Sequence, residues 1–298
     1  MIKLSKIKTY PIKNRKNRFH IEDIIPLEKS SIVAKNPDIE KLAEKIKKAR
    51  QNNKKIILMM GAHLIKVGLS LFIIDLIKKK FINHIAMNGA GMIHDFELAL
   101  IGATSEDVSV SIKDGSFGMA EETGHYLNKA AKTAARKNSG LGREVGELIE
   151  NLNCKYKDFS IIYTAYKNNI PITIHTAIGT EIIYQHPECD GAALGKSSYE
   201  DFKILIESIS KLQGGVIINL GSAVILPEVF LKAFTMARNL GYEIKNFTAA
   251  NLDMIDHYRP RVNVVERPTS LGGEGYTIIE KHENSIPTLH YYLTKKLF

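Results

Sequence analysis

The sequence predicts an α/β fold: a doubly wound, mostly parallel sheet with helices on both faces. Three observations carry that prediction. Helix-patterned and strand-patterned segments alternate along the 298 residues. The strand candidates are short, nearly continuous apolar runs, as strands buried on both faces must be. Most are followed by a turn of glycine and small polar residues, and right-handed helical crossovers bring such turns to one sheet edge. Five turns should converge there: 61–63, 88–91, 175–180, 221–222 and 249–253. Open α/β sheets bind their ligands at that edge.

Residues 1–35 show little periodicity and read as an N-terminal arm; residues 36–298 read as a single α/β domain. Asn36-Pro37-Asp38 opens a helix running to about residue 52, with Leu42, Ile46 and Ala49 on one face. Residues 54–60 form a strand, and Gly61-Ala62-His63 turns the chain into a helix from Leu64. Residues 81–87 are the next strand, and the Asn88–Gly91 turn feeds a helix ending near Gly102. Residues 103–118 read as a polar connection. Helices follow at about 119–137, 142–153 and 158–168, then a strand at 170–174, a loop at 184–198 and a helix at 199–212. A strand at 215–220, a helix at 227–240 and a strand at 243–249 complete the regular alternation. Strand-like pieces at 262–265 and 276–280 precede a terminal helix.

Composition narrows the class. An apolar fraction of 44% suffices for a large core. No run of about 18 apolar residues occurs, so no membrane span is expected. The start is polar and basic without an apolar stretch, so no signal peptide is expected. Two cysteines, Cys154 and Cys189, give no disulfide framework and suit a reducing cytoplasm. The net charge of +9 has no interleaved aromatics or zinc-knuckle spacing beside it. Solvated helix faces account for it, and nucleic acid is not an expected partner.

The most informative segment is 85–98. Apolar residues run into Asn88-Gly89-Ala90-Gly91, and His94 and Asp95 stand in the opening turn of the next helix. A strand, a tight turn and a helix N-terminus suit an anionic or nucleotide ligand, because unpaired N–H groups point out of the helix start. The segment supplies Gly89-x-Gly91 but carries His94 where a dinucleotide fingerprint has its third glycine. His94 is either a general base kept neutral by the helix dipole or a histidine packed under the turn. Asp95 does not share a helix face with His94 and caps or pairs elsewhere if it is not catalytic. His63 and His175 follow strands at the ligand edge; no local spacing supports a metal site, and none is expected. Cys189, with His186 three residues away, would need an electropositive setting to act as a nucleophile. His257 and Arg259 belong to the densest polar cluster, placed for a substrate or a subunit interface, and Arg259 with Arg261 could hold a carboxylate or phosphate.

Several segments, in order, resemble the deoxyhypusine synthase family. They are Gly61-Ala62-His63-Leu64-Ile65, the Asn88–Asp95 segment, Asn169-Ile170-Pro171-Ile172, residues 215–222, Thr248-Ala249-Ala250-Asn251-Leu252-Asp253 and Arg259-Pro260. The resemblance spans roughly residues 36–295. It implies a deoxyhypusine-synthase-like NAD-binding fold, a homo-oligomer (dimer or tetramer) with NAD at the subunit interface, and a small amine substrate. Carried over by position, it makes Gly61, Ala62, His63, Asn88, Gly89, Ala90, Gly221, Ser222 and Asp253 cofactor neighbours; Gly91 joins them from the glycine turn itself. The departures are equally specific. The family's imine-forming lysine, in a Trp-Gly-Lys motif after Arg-Pro, has no counterpart in Arg261-Val262-Asn263-Val264-Val265-Glu266-Arg267-Pro268, and the chain has no tryptophan. The family's acidic pair is replaced by Ile93 and His94, and its His-His pair falls near Leu226-Pro227-Glu228. Without the amine nucleophile, deoxyhypusine synthesis is not expected.

The resulting expectation is an NAD-dependent enzyme acting on a small amine, polyamine or amino-acid-like substrate. His94, His175 and Asp95 are the catalytic candidates, and Glu181, His257 and Arg259 the substrate-binding ones, with Glu181 and Asp253 able to recognise a cationic amine. The alternatives are a non-redox nucleotide or metabolite binder and a metal-assisted hydrolase.

Overall fold

The computed structural model describes residues 3–294. The outermost residues that the sequence reading gave to the arm (1–2) and to the domain (295–298) lie outside the described residues.

The arm consists of single 3-10 turns around one short strand, β1 (Asn17–His20). Helix α1 (Pro37–Gln51) starts where Asn36 accepts a hydrogen bond from the Asp38 amide at 2.9 Å, with Pro37 in the first turn. It buries Ile39, Leu42, Ala43, Ile46 and Ala49. Strand β2 (Ile56–Met60) is wholly buried. The single helix expected next is two pieces, α2 (His63–Lys66) and α3 (Ser70–Lys78), because Gly68 adopts φ +77° between them. Strand β3 (His84–Asn88) leads into α4 (Gly89–Ile101), which ends at left-handed Gly102.

The polar connection expected at 103–118 contains structure of its own. Strand β4 (Ala103–Glu106) pairs antiparallel with β1, Phe19 facing Thr104, and a short helix α5 (Val108–Ser111) follows. Helices α6 (Glu121–Lys137), α7 (Leu141–Asn151) and α8 (Ile161–Lys167) lead to strand β5 (Ile172–His175). Helix α9 (Gly191–Ser210) starts eight residues earlier than predicted, because the Asp190 side chain caps the Ala193 amide. Strand β6 (Val216–Leu220) and helix α10 (Ile225–Asn239) agree with expectation. Strand β7 (Thr248–Asp253) lies later than the 243–249 predicted. The strand expected at 262–265 is instead part of π-helical turns, Pro260–Glu266, continued by α11 (Arg267–Thr269). Strand β8 (Glu274–Ile279) and helix α12 (His282–Thr294) complete the chain.

Six of the strands form one parallel sheet in the order β5-β3-β2-β6-β7-β8. The chain builds outward from β2 in one direction, returns, and builds outward in the other. The direction therefore reverses between β2 and β6, and a ligand crevice belongs outside their carboxyl ends. Side chains alternate across the sheet. Ile56, Leu58 and Met60 join a large core under α1, α3, α4, α7, α8 and α12, whereas Ile57 and Met59 join a smaller one under α9 and α10. Helices thus cover both faces, as predicted.

Candidate active site

Two places along the carboxyl edge carry the candidate residues. The first is the chain reversal between β2 and β6. The parallel ladder runs on past both strands: the Gly61 amide donates to the Leu220 carbonyl at 3.0 Å, and the Gly221 amide to the Leu252 carbonyl at 3.1 Å. A Cβ on Gly61 would stand 2.6 Å from the Gly221 carbonyl oxygen, so glycine is required there. Gly221 is left-handed (φ +58°), and a Cβ on it would stand 2.6 Å from His282 Nε2. Ser222 is turned to local work: its hydroxyl accepts from the Leu226 amide at the start of α10. Asp253, at the end of β7, accepts from the Met254 amide at 2.7 Å and remains buried. His63 opens α2 with its ring 5.7 Å from that of His282.

His282 is the functional candidate that sequence reasoning missed. It is 1% exposed, yet neither ring nitrogen has a hydrogen-bond partner among the described residues. Burial lowers its pKa; the Asp253 carboxylate works against that shift and His63 adds to it. A neutral imidazole carries one donor and one acceptor, and leaving either unsatisfied in the interior is costly. The available signal was position alone, since His282 directly follows a strand end at the ligand edge.

The second place is a hollow, a cavity of about 250 Å³ between the arm, α2, α4, β4 and the loop after β5. Arg15, Lys66, His94, Glu97, Glu106 and Glu181 supply its charged and titratable lining. His94 Nδ1 lies 2.6 Å from the Thr104 hydroxyl, which donates to Glu97 Oε2 at 2.6 Å. Arg15 grips the Glu97 carboxylate with both terminal nitrogens, at 2.6 and 2.8 Å, and the Thr123 hydroxyl donates to it at 2.8 Å. Burial would raise the Glu97 pKa, but the hydrogen bonds and charge of Arg15 hold it below the ordinary carboxylate value. Burial pushes the His94 pKa down to about 4; Glu97 opposes this, and Lys66 and Arg15 reinforce it. Burial, and not the helix start that the sequence suggested, is the leading cause of that downward shift, since α4 begins at Gly89 and sets His94 in its second turn.

The Asn88–Gly91 turn is occupied by the chain itself. Asn88 Oδ1 accepts from the Gly91 amide at 2.8 Å. The Glu181 carboxylate stands against Gly89, where a Cβ would come 2.5 Å from its Oε1. That carboxylate also accepts from the Ala177 amide at 3.1 Å. Burial raises the Glu181 pKa, and the backbone donors around it, Gly89 included, work the other way. A side-chain carboxylate therefore takes the place at the start of α4 expected for a ligand anion. Ala90 lines the small cavity.

Other candidates are placed elsewhere. Asp95 points away from His94 into the core, where it accepts from the Ser160 hydroxyl and from the Ile161 and Ile162 amides, anchoring the start of α8. Burial raises its pKa to about 6 against those hydrogen bonds. His175 shares a face of β5 with Thr173 and lies 3.0 Å from its hydroxyl, which also meets buried His84. Its pKa is pushed down to about 3 by burial. His257 and Arg259 stand on the loop after β7, and Arg259 pairs with Glu228 of α10 at 3.3 Å. The Cys189 thiol is pushed up by burial, with Asp190 adding to the effect, while His186 turns to the Gly118 carbonyl. Among the described residues, no group of three His, Cys, Asp or Glu side chains is placed to hold a metal ion. No described helix is long and apolar enough to cross a membrane.

No family model matches the sequence, and no curated protein matches it. Solved structures do share its fold. A candidate LOR/SDH protein from Methanococcus maripaludis S2 superposes with a TM-score of 0.55 at 18% identity, over 90% of this chain and 70% of that one. AgrE, solved as a ternary complex with ornithine and NAD+, gives 0.55 at 13% identity, over 92% of this chain. A candidate deoxyhypusine synthase from Entamoeba histolytica gives 0.50 at 13% identity, over 97% of both chains. The likeness is one of fold. This chain has the deoxyhypusine-synthase-like architecture. It spans about a third of the length of AgrE and of ArgZ, a cyanobacterial arginine dihydrolase.

Proposed function

We propose that this protein is a nicotinamide-dinucleotide-dependent enzyme acting on a small amine or amino-acid-like substrate, and that it is not a deoxyhypusine synthase. The observation that carries the reading is the chemistry gathered on one sheet edge. At the chain reversal stand buried His282, without a hydrogen-bond partner among the described residues, and Asp253. The other part is a small charged cavity with His94 in its wall.

The chain reversal fits a dinucleotide by chemistry as well as by topology. The two orphaned nitrogens of His282 need polar partners, and Asp253 offers a carboxylate beside them. His63, Gly61, Ala62, Gly221, Ser222 and Asp253 would hold the cofactor together with His282. When bound, a nicotinamide dinucleotide supplies hydride transfer. The remaining chemistry falls to the chain. At about 250 Å³, the charged cavity is smaller than the roughly 300–1,000 Å³ of common ligand pockets and suits a molecule of amino-acid size. Glu181 and Glu106 can receive an ammonium group. Lys66, which makes no ion pair among the described residues, can receive a carboxylate. His94, as a neutral imidazole, is the group placed to accept a proton from the substrate and return it. AgrE, with NAD+ and ornithine, is a protein of this fold in which both ligand classes occur. Self-association is part of the same proposal.

The test is direct. Binding of NAD+ is measured first, and reduced nicotinamide is then followed by absorbance over a panel of polyamines and basic amino acids. Turnover is expected for at least one of them. His94→Gln should lower it by about 10²–10⁴-fold, the range for losing a positioned acid–base group. A panel on which the protein with bound NAD+ stays inert would remove the enzyme reading. It would favour the second reading, a non-redox metabolite binder, which the occupation of the Gly89 turn by Glu181 already supports.

A further inference from the structure

We infer that Arg15, Glu97 and Thr104 are positioning residues that fix His94 as its Nδ1–H tautomer, and that the N-terminal arm is therefore a working part of the site. The inference deepens the reading of His94 as the acid–base group and rests on it for its catalytic meaning.

The argument is a count of hydrogens. The Glu97 carboxylate receives four hydrogen bonds: two from Arg15, one from Thr123 and one from Thr104. An ionised carboxylate only accepts, and these four hydrogen bonds saturate its two oxygens. Arg15 keeps it ionised, since a guanidinium does not give up its proton in proteins. The single hydroxyl hydrogen of Thr104 is therefore committed to Glu97, and toward His94 the hydroxyl offers only lone pairs. At 2.6 Å from that oxygen, His94 Nδ1 must carry the hydrogen. A neutral imidazole has only one, so Nε2 is left with its lone pair. Nε2 has no partner among the described residues, and His94 lines the cavity. The direction of every bond is set by the positive charge at the far end of the row.

That charge comes from the arm. The Arg15 and Glu97 side chains are 2% and 1% exposed, and the third guanidinium nitrogen, Nε, donates to Asn17 of β1 at 2.8 Å. Strand β1 also pairs with β4, which carries Thr104. One short strand thus holds both the guanidinium and the hydroxyl in register with α4. The arrangement matches the general form of an activated base, in which a third group orients the imidazole.

The tautomer can be read without substrate or cofactor. Protein labelled with 15N-histidine is examined at neutral pH by long-range 15N–1H correlation, and His94 is assigned from its loss in His94→Gln. In the wild type, Nδ1 should show the protonated, pyrrole-type shift and Nε2 the unprotonated one. Thr104→Val should move the tautomer ratio toward Nε2–H by about tenfold, the equivalent of one ordinary hydrogen bond. Thr104→Ser should restore it. Glu97→Gln, whose amide can donate to Thr104, should also release the preference. A wild-type His94 found mainly as Nε2–H would overturn the inference even if the Thr104 and Glu97 variants failed to fold, and so would an unchanged ratio in folded Thr104→Val. An Nδ1–H His94 in a protein that turns over no amine would leave the positioning assignment standing and remove only the catalytic reading.

Discussion

At the scale of single residues, burial decides what each ionisable group can do. Asp201 shows this most clearly. It is fully buried in α9 and accepts from the Gly142 amide at 2.9 Å and the Ile174 amide at 2.8 Å, joining α7 to β5. Burial raises its pKa from 3.8 to about 8, against the backbone donors. Between those values the folded chain holds a proton that the unfolded chain releases. The contribution to stability is complete below the unfolded value and declines as pH rises, until it is lost through the folded value. Asp201→Asn keeps the shape without the titration. Wild-type stability from urea melts should fall by up to about 1.4 kcal/mol per pH unit between pH 5 and 8 from this group, and the variant should lack that component. Equal slopes in the two proteins would mean that Asp201 is ionised in the fold. The same principle sorts the histidines. The helix after the glycine turn was legible in sequence, but it begins at Gly89, so His94 stands in its second turn and not in the opening one expected. The inward turn of Asp95 and the placement of His175 beside Thr173 and His84 depend on neighbours far along the chain.

At the scale of elements, the arm behaves as a latch. Arg15 crosses into the core to meet Glu97, β1 pairs with β4, and the Ile25 amide donates to the Gly68 carbonyl at the break between α2 and α3. Removing one partner of a buried ion pair strands the other charge. Arg15→Leu should therefore cost about 3–5 kcal/mol, whereas Arg15→Leu with Glu97→Leu should recover much of the loss. Denaturant melts of the single and double variants check this, and a double variant no more stable than the single one would contradict it. Helices α1, α4, α6 and α10 were readable from periodicity and caps. β4 was not, because Ala103-Thr104-Ser105-Glu106 has no strand-like apolar pattern and its partner lies more than 80 residues earlier. The start of α9 was hidden by small residues that resemble a loop until Asp190 is seen to cap them. The alternation Val262-Asn263-Val264 imitated a strand, yet its valines pack inside π-helical turns.

At the scale of the whole molecule, the order of the sheet sets the chain reversal between β2 and β6, and ligand binding should register in global stability. A ligand that binds only the folded chain adds about 2.7 kcal/mol at a hundredfold excess over its dissociation constant. NAD+ at saturating concentration should therefore raise the melting temperature measurably, and a flat titration would remove the cofactor from the proposal. The sequence by itself determined the fold class, the edge at which the glycine turns meet, and the absence of a lysine where the resembled family carries one. These are local patterns of period, turn and residue type, which a linear chain displays directly. Only the tertiary structure decided that Glu181 fills the Gly89 turn, that His282 stands unpartnered beside Gly221, and that Arg15 reaches Glu97. Each of those facts joins residues distant in sequence, and whether a buried polar group is satisfied depends on which distant atoms packing brings within about 3 Å of it.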